Sequence, residues 1–425
     1  MGPKRDGVWR ETGILQKFPS NGPPVCWRVP VNRGYCGPAV ANGRLFMLDR
    51  LQGTRAEPKP GERIDPAVPG SERVLCLDAR TGQKIWEHSY ECPYKIGYPS
   101  GPRATPTVEG DRVFTLGAMG DLLCLSAKTG DVIWQHHLLK EFAAGEPPTW
   151  GYAAHPLLDG NRLICLVGGS NSAVVAFEKN TGKVVWQALT AQEIGYAPPM
   201  IYEIAGRRQL IIWHPDAVVS LEPETGKPFW TQKYPVAGKL QRPEVTIATP
   251  RLGGDKLFFS SFYHGALLLQ VTNHPPGALV AWDRHSTNHS SFTDGLHTVM
   301  CTPVWKGQYI YGICGEGELR CLDAISGDRV WESEEAVKPG LFGTAFFVEH
   351  GDDVFVWNDQ GELVLGRLSP KGFTVASRAK LLETSENTRG RDIVWCAPAF
   401  ADRCAFVQNG KELICISLSA AAGQG

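Results

Sequence analysis

No two of the twelve cysteines in this 425-residue chain are adjacent, and none forms a C-x-x-C pair. The chain therefore lacks the local signature of a dithiol redox centre or a zinc knuckle. G-x-S-x-G, H-E-x-x-H and the P-loop are missing too, so hydrolase, HExxH-metalloprotease and nucleotide-triphosphatase readings have no support. No run of about 18 apolar residues occurs, and nothing reads as a membrane-spanning helix. Basic and acidic residues balance at 43 and 44, with no long charge run. Electrostatics give no case for nucleic acid or an anionic membrane as partner. Helical periodicity is absent as well.

What the chain does have is one sentence written repeatedly. Residues 74–86 read VLCLDARTGQKIW, 122–134 LLCLSAKTGDVIW, 174–186 VVAFEKNTGKVVW, 218–230 VVSLEPETGKPFW and 319–331 LRCLDAISGDRVW. A damaged copy ends at Trp282, with NHPPGA in place of the Thr-Gly turn. Trp86, Trp134, Trp186, Trp230, Trp282 and Trp331 follow one another at intervals of 44 to 52 residues. A period in this range is that of β-propeller blades. Each copy is two short β-rich runs joined by a turn whose glycine supplies positive φ, and a second such pair lies upstream. Four strands per unit, 47 glycines and 31 prolines predict an all-β radial repeat. The tryptophan column is expected to pack blade against blade, since one buried indole covers about 150–250 Å².

The chain ends complete the count. The last unit stops after three strands, whereas residues 25–31 (VCWRVPV) match a fourth strand with Trp27 at the tryptophan position. Pairing them would close the ring without open edges. The expectation is an eight-bladed propeller of four-stranded antiparallel blades, its last blade closed by the N-terminal strand. The blades fall at 33–87, 101–137, 150–188, 195–233, 245–283, 297–333, 341–379, and 394–418 with 25–31. Residues 1–24 form an extension, 25–418 the single propeller, and 419–425 a tail. The seventh unit is irregular and puts Ala376 where tryptophan is expected. Cys76, Cys124, Cys321 and Cys415 share a repeat position with Ala176, Ser220 and Gly366, which marks a column of compact residues between sheets. Cys26 and Cys415 could meet across the closing blade; the cysteines otherwise read as free, buried thiols.

The loops leading into each blade's first strand line the axis and are the best place for a ligand. They gather Arg33, Tyr35, Arg103, Trp150, Tyr152, Tyr196, Arg242, Glu244, His297, Arg391, Asp392 and Trp395. Aromatics with arginines suit an anionic, planar or peptide-like partner. The plain alternative is that the rings fill the channel and the arginines pair with Glu244 and Asp392. Residues 284–297 bring His285, His289, Asp294 and His297 together, a combination that binds zinc only if the loop folds back; an ordinary solvent loop is the simpler expectation, and no metal site is assigned. The Pro- and Gly-rich insertion 51–72 reads as a flap on the first blade.

The unit "small residue–Leu-Asp-Ala-x-Thr-Gly-x-x-x-Trp" resembles the repeat of the pyrroloquinoline-quinone (PQQ) enzyme-like propellers. That superfamily holds quinoprotein dehydrogenases and non-enzymatic BamB-like outer-membrane-protein assembly factors. The resemblance runs from Trp27 to Leu418 and is specific for the fold. It implies for the dehydrogenases an adjacent disulfide-linked cysteine pair, a calcium ion held by Glu and Asn, and an Asp base. This chain has no such pair, no C-x-x-C-H, and no residue matching the calcium or base positions, so no catalytic residue is carried over. The expectation is a non-catalytic scaffold that binds a protein or peptide, monomeric and without cofactor. PQQ and calcium enter only under the alternative of an alcohol- or sugar-oxidising quinoprotein. A further alternative is carbohydrate binding by Trp150, Tyr152, Tyr196 and Trp395. The opening GPKRDGVWRETGIL lacks the apolar core of an export signal but resembles the segment that follows one in secreted members. The location expected is periplasmic or otherwise extracytoplasmic if a signal once preceded Met1, and cytoplasmic if Met1 is the true start.

Overall fold

The computed structural model describes residues 2–54, 67–236, 242–284 and 294–423. They form eight four-stranded antiparallel sheets arranged as a β-propeller. Blade 1, for example, is built from Ala39–Ala41, Arg44–Gln52, Gly70–Asp78 and Lys84–Glu91 in sequence order from axis to rim. The eighth sheet pairs Val25–Pro30 with Glu412–Ser417, followed by Cys404–Gln408 and Ala399–Ala401. The ring is thus closed by the N-terminal strand, as the two incomplete ends require. One short helix, Leu138–Glu141, and an extra hairpin, Glu386–Thr388 with Arg391–Ile393, decorate the loops.

The repeat is explained by contacts between successive blades. In the third-to-fourth-strand turn of blade 1, Asp78 Oδ1 accepts from the amides of Arg80 and Thr81 (3.0 and 2.8 Å) and from the Thr81 hydroxyl (2.9 Å). These bonds, the Thr81 hydroxyl first, hold the Asp78 carboxyl below the usual carboxylate range. Gly82 then takes φ +73° and lies on the Trp27 indole of the preceding blade, where a methyl would come within 2.8 Å of the ring. The same seat recurs for Gly130 on Trp86, Gly182 on Trp134, Gly226 on Trp186 and Gly327 on Trp282. Each of these indoles also donates its Nε1–H into that turn, to the carbonyls of Ala79, Ala127, Lys179, Pro223 and Ala324 at 2.9–3.2 Å. Thr-Gly and Trp recur together because one blade's glycine is the floor for its neighbour's tryptophan.

Departures from the repeat follow the same logic. Blade 5 has lost the turn glycine, and Trp230 of blade 4 instead donates to Gln209 Oε1 within its own blade (2.8 Å). Blade 7 has Ser369 there; Trp331 still donates to its carbonyl (3.0 Å) but is only half-buried. A β-bulge precedes the tryptophan position in every blade, so two residues of the rim strand oppose one of its partner. In blade 7 the bulge falls between Leu365 and Gly366, Leu365 pairs with Ser377, and Ala376 is the extra residue. The tryptophan position is therefore Ser377 rather than Ala376, and the small-residue column passes through Leu365 rather than Gly366. The N-terminal extension fills the gap: the Phe18 amide donates to Ser377 Oγ (3.0 Å), and its buried ring joins Leu365 and Ala379 in one cluster.

That extension also crosses the axis. Arg5 donates to the carbonyls of Pro156 (3.0 Å) and Pro199 (3.4 Å), Asp6 O accepts from Arg251 (2.8 Å), and Trp9 N donates to Glu349 O (2.8 Å). These partners lie at or beside the first strands of blades 3, 4, 5 and 7, which face one another only at the channel. The arm thus closes the channel mouth on the side of the first-to-second-strand turns. Burial lowers the Arg5 pKa to about 10, and burial with the Arg5 charge lowers that of His155 to about 3.

Two outcomes are expected. Trp86→Ala should cost about 3–5 kcal/mol in chemical denaturation, and Gly130→Ala should couple to it in a double-mutant cycle by about 0.5–3 kcal/mol, since the clash needs the ring. The unfolded chain protonates His155 near 6.5 while the folded chain resists until about 3. Its contribution is therefore present above about pH 6.5 and lost as pH falls toward 3, and His155→Gln should flatten melting temperature against pH across that window.

Candidate functional site

With the turn face crossed by the N-terminal arm, the loops between blades make the other face. Buried Glu72 on the third strand of blade 1 fixes their frame: it accepts from the Tyr90 and Tyr94 hydroxyls and from Ala118 N (2.9 Å). Arg50 lies 4.0 Å over the Tyr94 ring and donates to Val68 O (2.7 Å) and Pro69 O (3.0 Å), tying the base of the insertion 51–72 to the same frame. Residues 55–66 of that insertion lie outside the described residues.

From this frame the 97–101 segment wraps around Arg103, which donates to the carbonyls of Gly97 (2.7 Å), Tyr98 (2.5 Å) and Gly101. The guanidinium sits 5.2 Å over Tyr35. Burial lowers its pKa, and among the described residues no carboxylate lies within ion-pair distance of it. Trp395 stands 6.4 Å from Tyr35 and 5.7 Å from Tyr98, whose hydroxyl shares a hydrogen bond with Thr388 Oγ1 (3.0 Å). The Trp395 Nε1–H finds no acceptor among the described residues. Burial pushes the Tyr35 phenol up to about 12. On the other side of the segment, Gly97 N donates to Thr149 O (2.7 Å), and Trp150 packs on Tyr196 at 5.4 Å. Tyr196 with Trp150, and Tyr98 with Trp395 and Tyr35, thus form two aromatic groups on either side of Gly97, with the Arg103 charge over Tyr35.

The remaining sequence candidates have other surroundings. Tyr152 and Tyr196 are both buried, Tyr152 donating to Val167 O (2.6 Å), so the four-ring carbohydrate platform lacks two of its members at the surface. Buried His297 donates Nδ1–H to Phe262 O (2.8 Å). Arg242 pairs with Glu193 (3.0 Å) and Asp216, and Arg391 with Asp359 (2.9 and 3.0 Å) and the carbonyls of Lys338 and Pro339. These arginines are internally paired, though by other carboxylates than the Glu244 and Asp392 suggested by sequence. Arg33 lies 3.8 Å from Glu386. Of the 284–297 loop, residues 285–293, including His285 and His289, lie outside the described residues. Sequence reading missed Tyr98, Phe342 and Arg389; the last stands 5.6 Å over the Phe342 ring. Tyr98 lies in the loop that leads to Arg103, has a left-handed φ of +51°, and meets Trp395.

The donor set does not fit the calcium of the quinoproteins. Calcium takes six to eight oxygens. Fully buried Glu244 has its Oε2 3.2 Å from His264 Nε2, and no second carboxylate joins it in a metal-ligating group among the described residues.

A family model described as outer membrane protein assembly factor BamB matches residues 70–333. The chain belongs to this PQQ-repeat family. BamB of Burkholderia pseudomallei (strain K96243) is 24% identical over 275 residues, which are 64% of this chain and 64% of the relative, so the chain spans about two thirds of the protein it matches. Among solved structures, BamB from Moraxella catarrhalis superposes with a TM-score of 0.61 at 14% identity, covering 93% of this chain and 99% of that one. Quinohemoprotein alcohol dehydrogenase from Comamonas testosteroni gives 0.63 at 12% identity, over 97% and 79%. Both structures share the fold, and this BamB-like propeller takes no activity from either. No helix among its described residues is long and apolar enough to cross a membrane.

The site analysis predicts that Arg103 organises its own loop. Arg103→Gln should leave the melting temperature within a few degrees yet raise hydrogen exchange at the Gly97 and Tyr98 amides, because three carbonyl contacts that brace the segment are lost.

Proposed function

We propose that this chain is a non-catalytic scaffold of the cell envelope that binds an extended polypeptide across its inter-blade loops, in an assembly role of the kind named for its BamB relatives. One observation carries the reading: a half-buried arginine without a carboxylate, set among the aromatic side chains of the inter-blade loops. Rigid rings give contact area at low entropic cost, and a guanidinium held by backbone carbonyls, with no carboxylate to balance its charge, favours an acidic group of a partner. Two depressions of the disc, about 440 and 400 Å³, lie away from this face, by Trp305 and Ile325 and by Ile14 and Phe18. A cell-envelope location is proposed with the assembly role and stands or falls with it.

Photo-crosslinking from a probe at position 150 in cell-envelope extract should capture a discrete protein partner. Trp150→Ala and Arg103→Gln should each weaken that partner roughly thirtyfold, the effect of an interfacial hot spot of about 2 kcal/mol. Unchanged affinity in both variants would refute the assignment of the face, and substrate turnover by the isolated chain would refute the non-catalytic reading.

A further inference from the structure

The closing blade carries a feature that no other blade shares. Cys26, Cys404 and Cys415 are free thiols whose sulfurs all lie within 4.8 Å of one another. Strand pairing explains how residues far apart in sequence converge. Trp27 and Phe406 both oppose Cys415, and Cys404 stands two residues from Phe406, so it shares their side of the sheet. Cys26 is the extra residue of the rim-strand bulge, which turns it toward Cys415 together with Trp27.

The repeat supplies its own control. At the bulge position the first two blades carry Ile85 and Ile133, and at the position of Cys404 the first three carry Arg44, Arg112 and Arg162. The central thiol does recur, as Cys76, Cys124 and Cys321, so a cysteine there is part of ordinary blade packing. In the eighth blade alone both flanking positions are sulfur as well. Cys415 is buried, Cys404 half-buried and Cys26 exposed, so the trio opens to solvent on one side. Among the described residues it is the group of metal-ligating side chains that converges without any carboxylate or imidazole in it.

We propose that Cys26, Cys404 and Cys415 form a three-sulfur site for a soft d10 metal ion, specifically Cu(I). Thiolate-only sets select soft ions. An ion bonded at about 2.3 Å to three sulfurs in a plane holds them about 4.0 Å apart, a contraction that side-chain rotation supplies. On binding, the thiol protons leave to solvent as the metal–sulfur bonds form, with no change of oxidation state, so affinity falls with falling pH. The ion would join the N-terminal strand to the C-terminal hairpin, pinning the seam of the ring.

The test uses the full chain, reduced and metal-free, titrated with Cu(I) against a chromophoric Cu(I) chelator. One equivalent should resist the chelator, raise the melting temperature, and show sulfur at about 2.3 Å by X-ray absorption. Cys26→Ile and Cys404→Arg restore residues that other blades carry and should fold normally while losing at least about 100-fold in affinity, more than a supporting contact is worth. Equal Cu(I) affinity in wild type and in Cys26→Ile would overturn the proposal. So would tighter binding of Zn²⁺ than of Cu(I), or a disulfide between any two of the three in the metal-free protein as first isolated.

Discussion

Everything in this molecule hangs on the contact between an indole and the backbone of the next blade's turn. A tryptophan at the rim of one sheet lies on a glycine with positive φ and donates its N–H to a carbonyl three residues earlier. The glycine is demanded twice, by the turn's conformation and by the ring above it. A side chain there would collide with the indole at under 3 Å, which explains why the two residues travel together through five copies of the repeat. The contact joins neighbours only, so the disc is a chain of similar interfaces that acquires unity by closing on itself.

Closure is where the chain departs from repetition. The eighth sheet takes its rim strand from the N-terminus, and residues before that strand continue across the turn face. Phe18 replaces the indole that blade 7 lacks, and Arg5 reaches into the axis. An extension of about twenty residues thereby repairs one interface and occupies one channel mouth. The binding surface proposed above is the opposite face, where loops of different lengths are free to vary over a fixed frame. There, Glu72 and Arg50 anchor a segment that wraps Arg103, and the two aromatic groups are assembled from blades 1, 2, 3, 4 and 8.

The same bulge that blunts the rim of every blade also serves chemistry in the last. It leaves Ile85, Ile133 and Val185 partly exposed where an edge strand could otherwise recruit another chain. At Cys26 it turns a thiol toward two others. A structural device repeated eight times thus offers a ligand once, where the sequence changes and the backbone does not.

The sequence alone determined the blade, the count of eight, and the pairing of both ends in one sheet, because those depend on spacing between residues that repeat. It did not place Ser377 at the tryptophan position, since a bulge shifts register by one residue and leaves no mark in the letters. Nor did it show that Arg242 and Arg391 are paired by Asp216 and Asp359, that Tyr152 is interior, or that Tyr98 belongs with Trp395. It named Cys26 and Cys415 as neighbours and left out Cys404. Each of these depends on which side chains from different blades meet at the axis or the seam. Such meetings are set by loop path and strand register in three dimensions, and no periodicity along the chain encodes them.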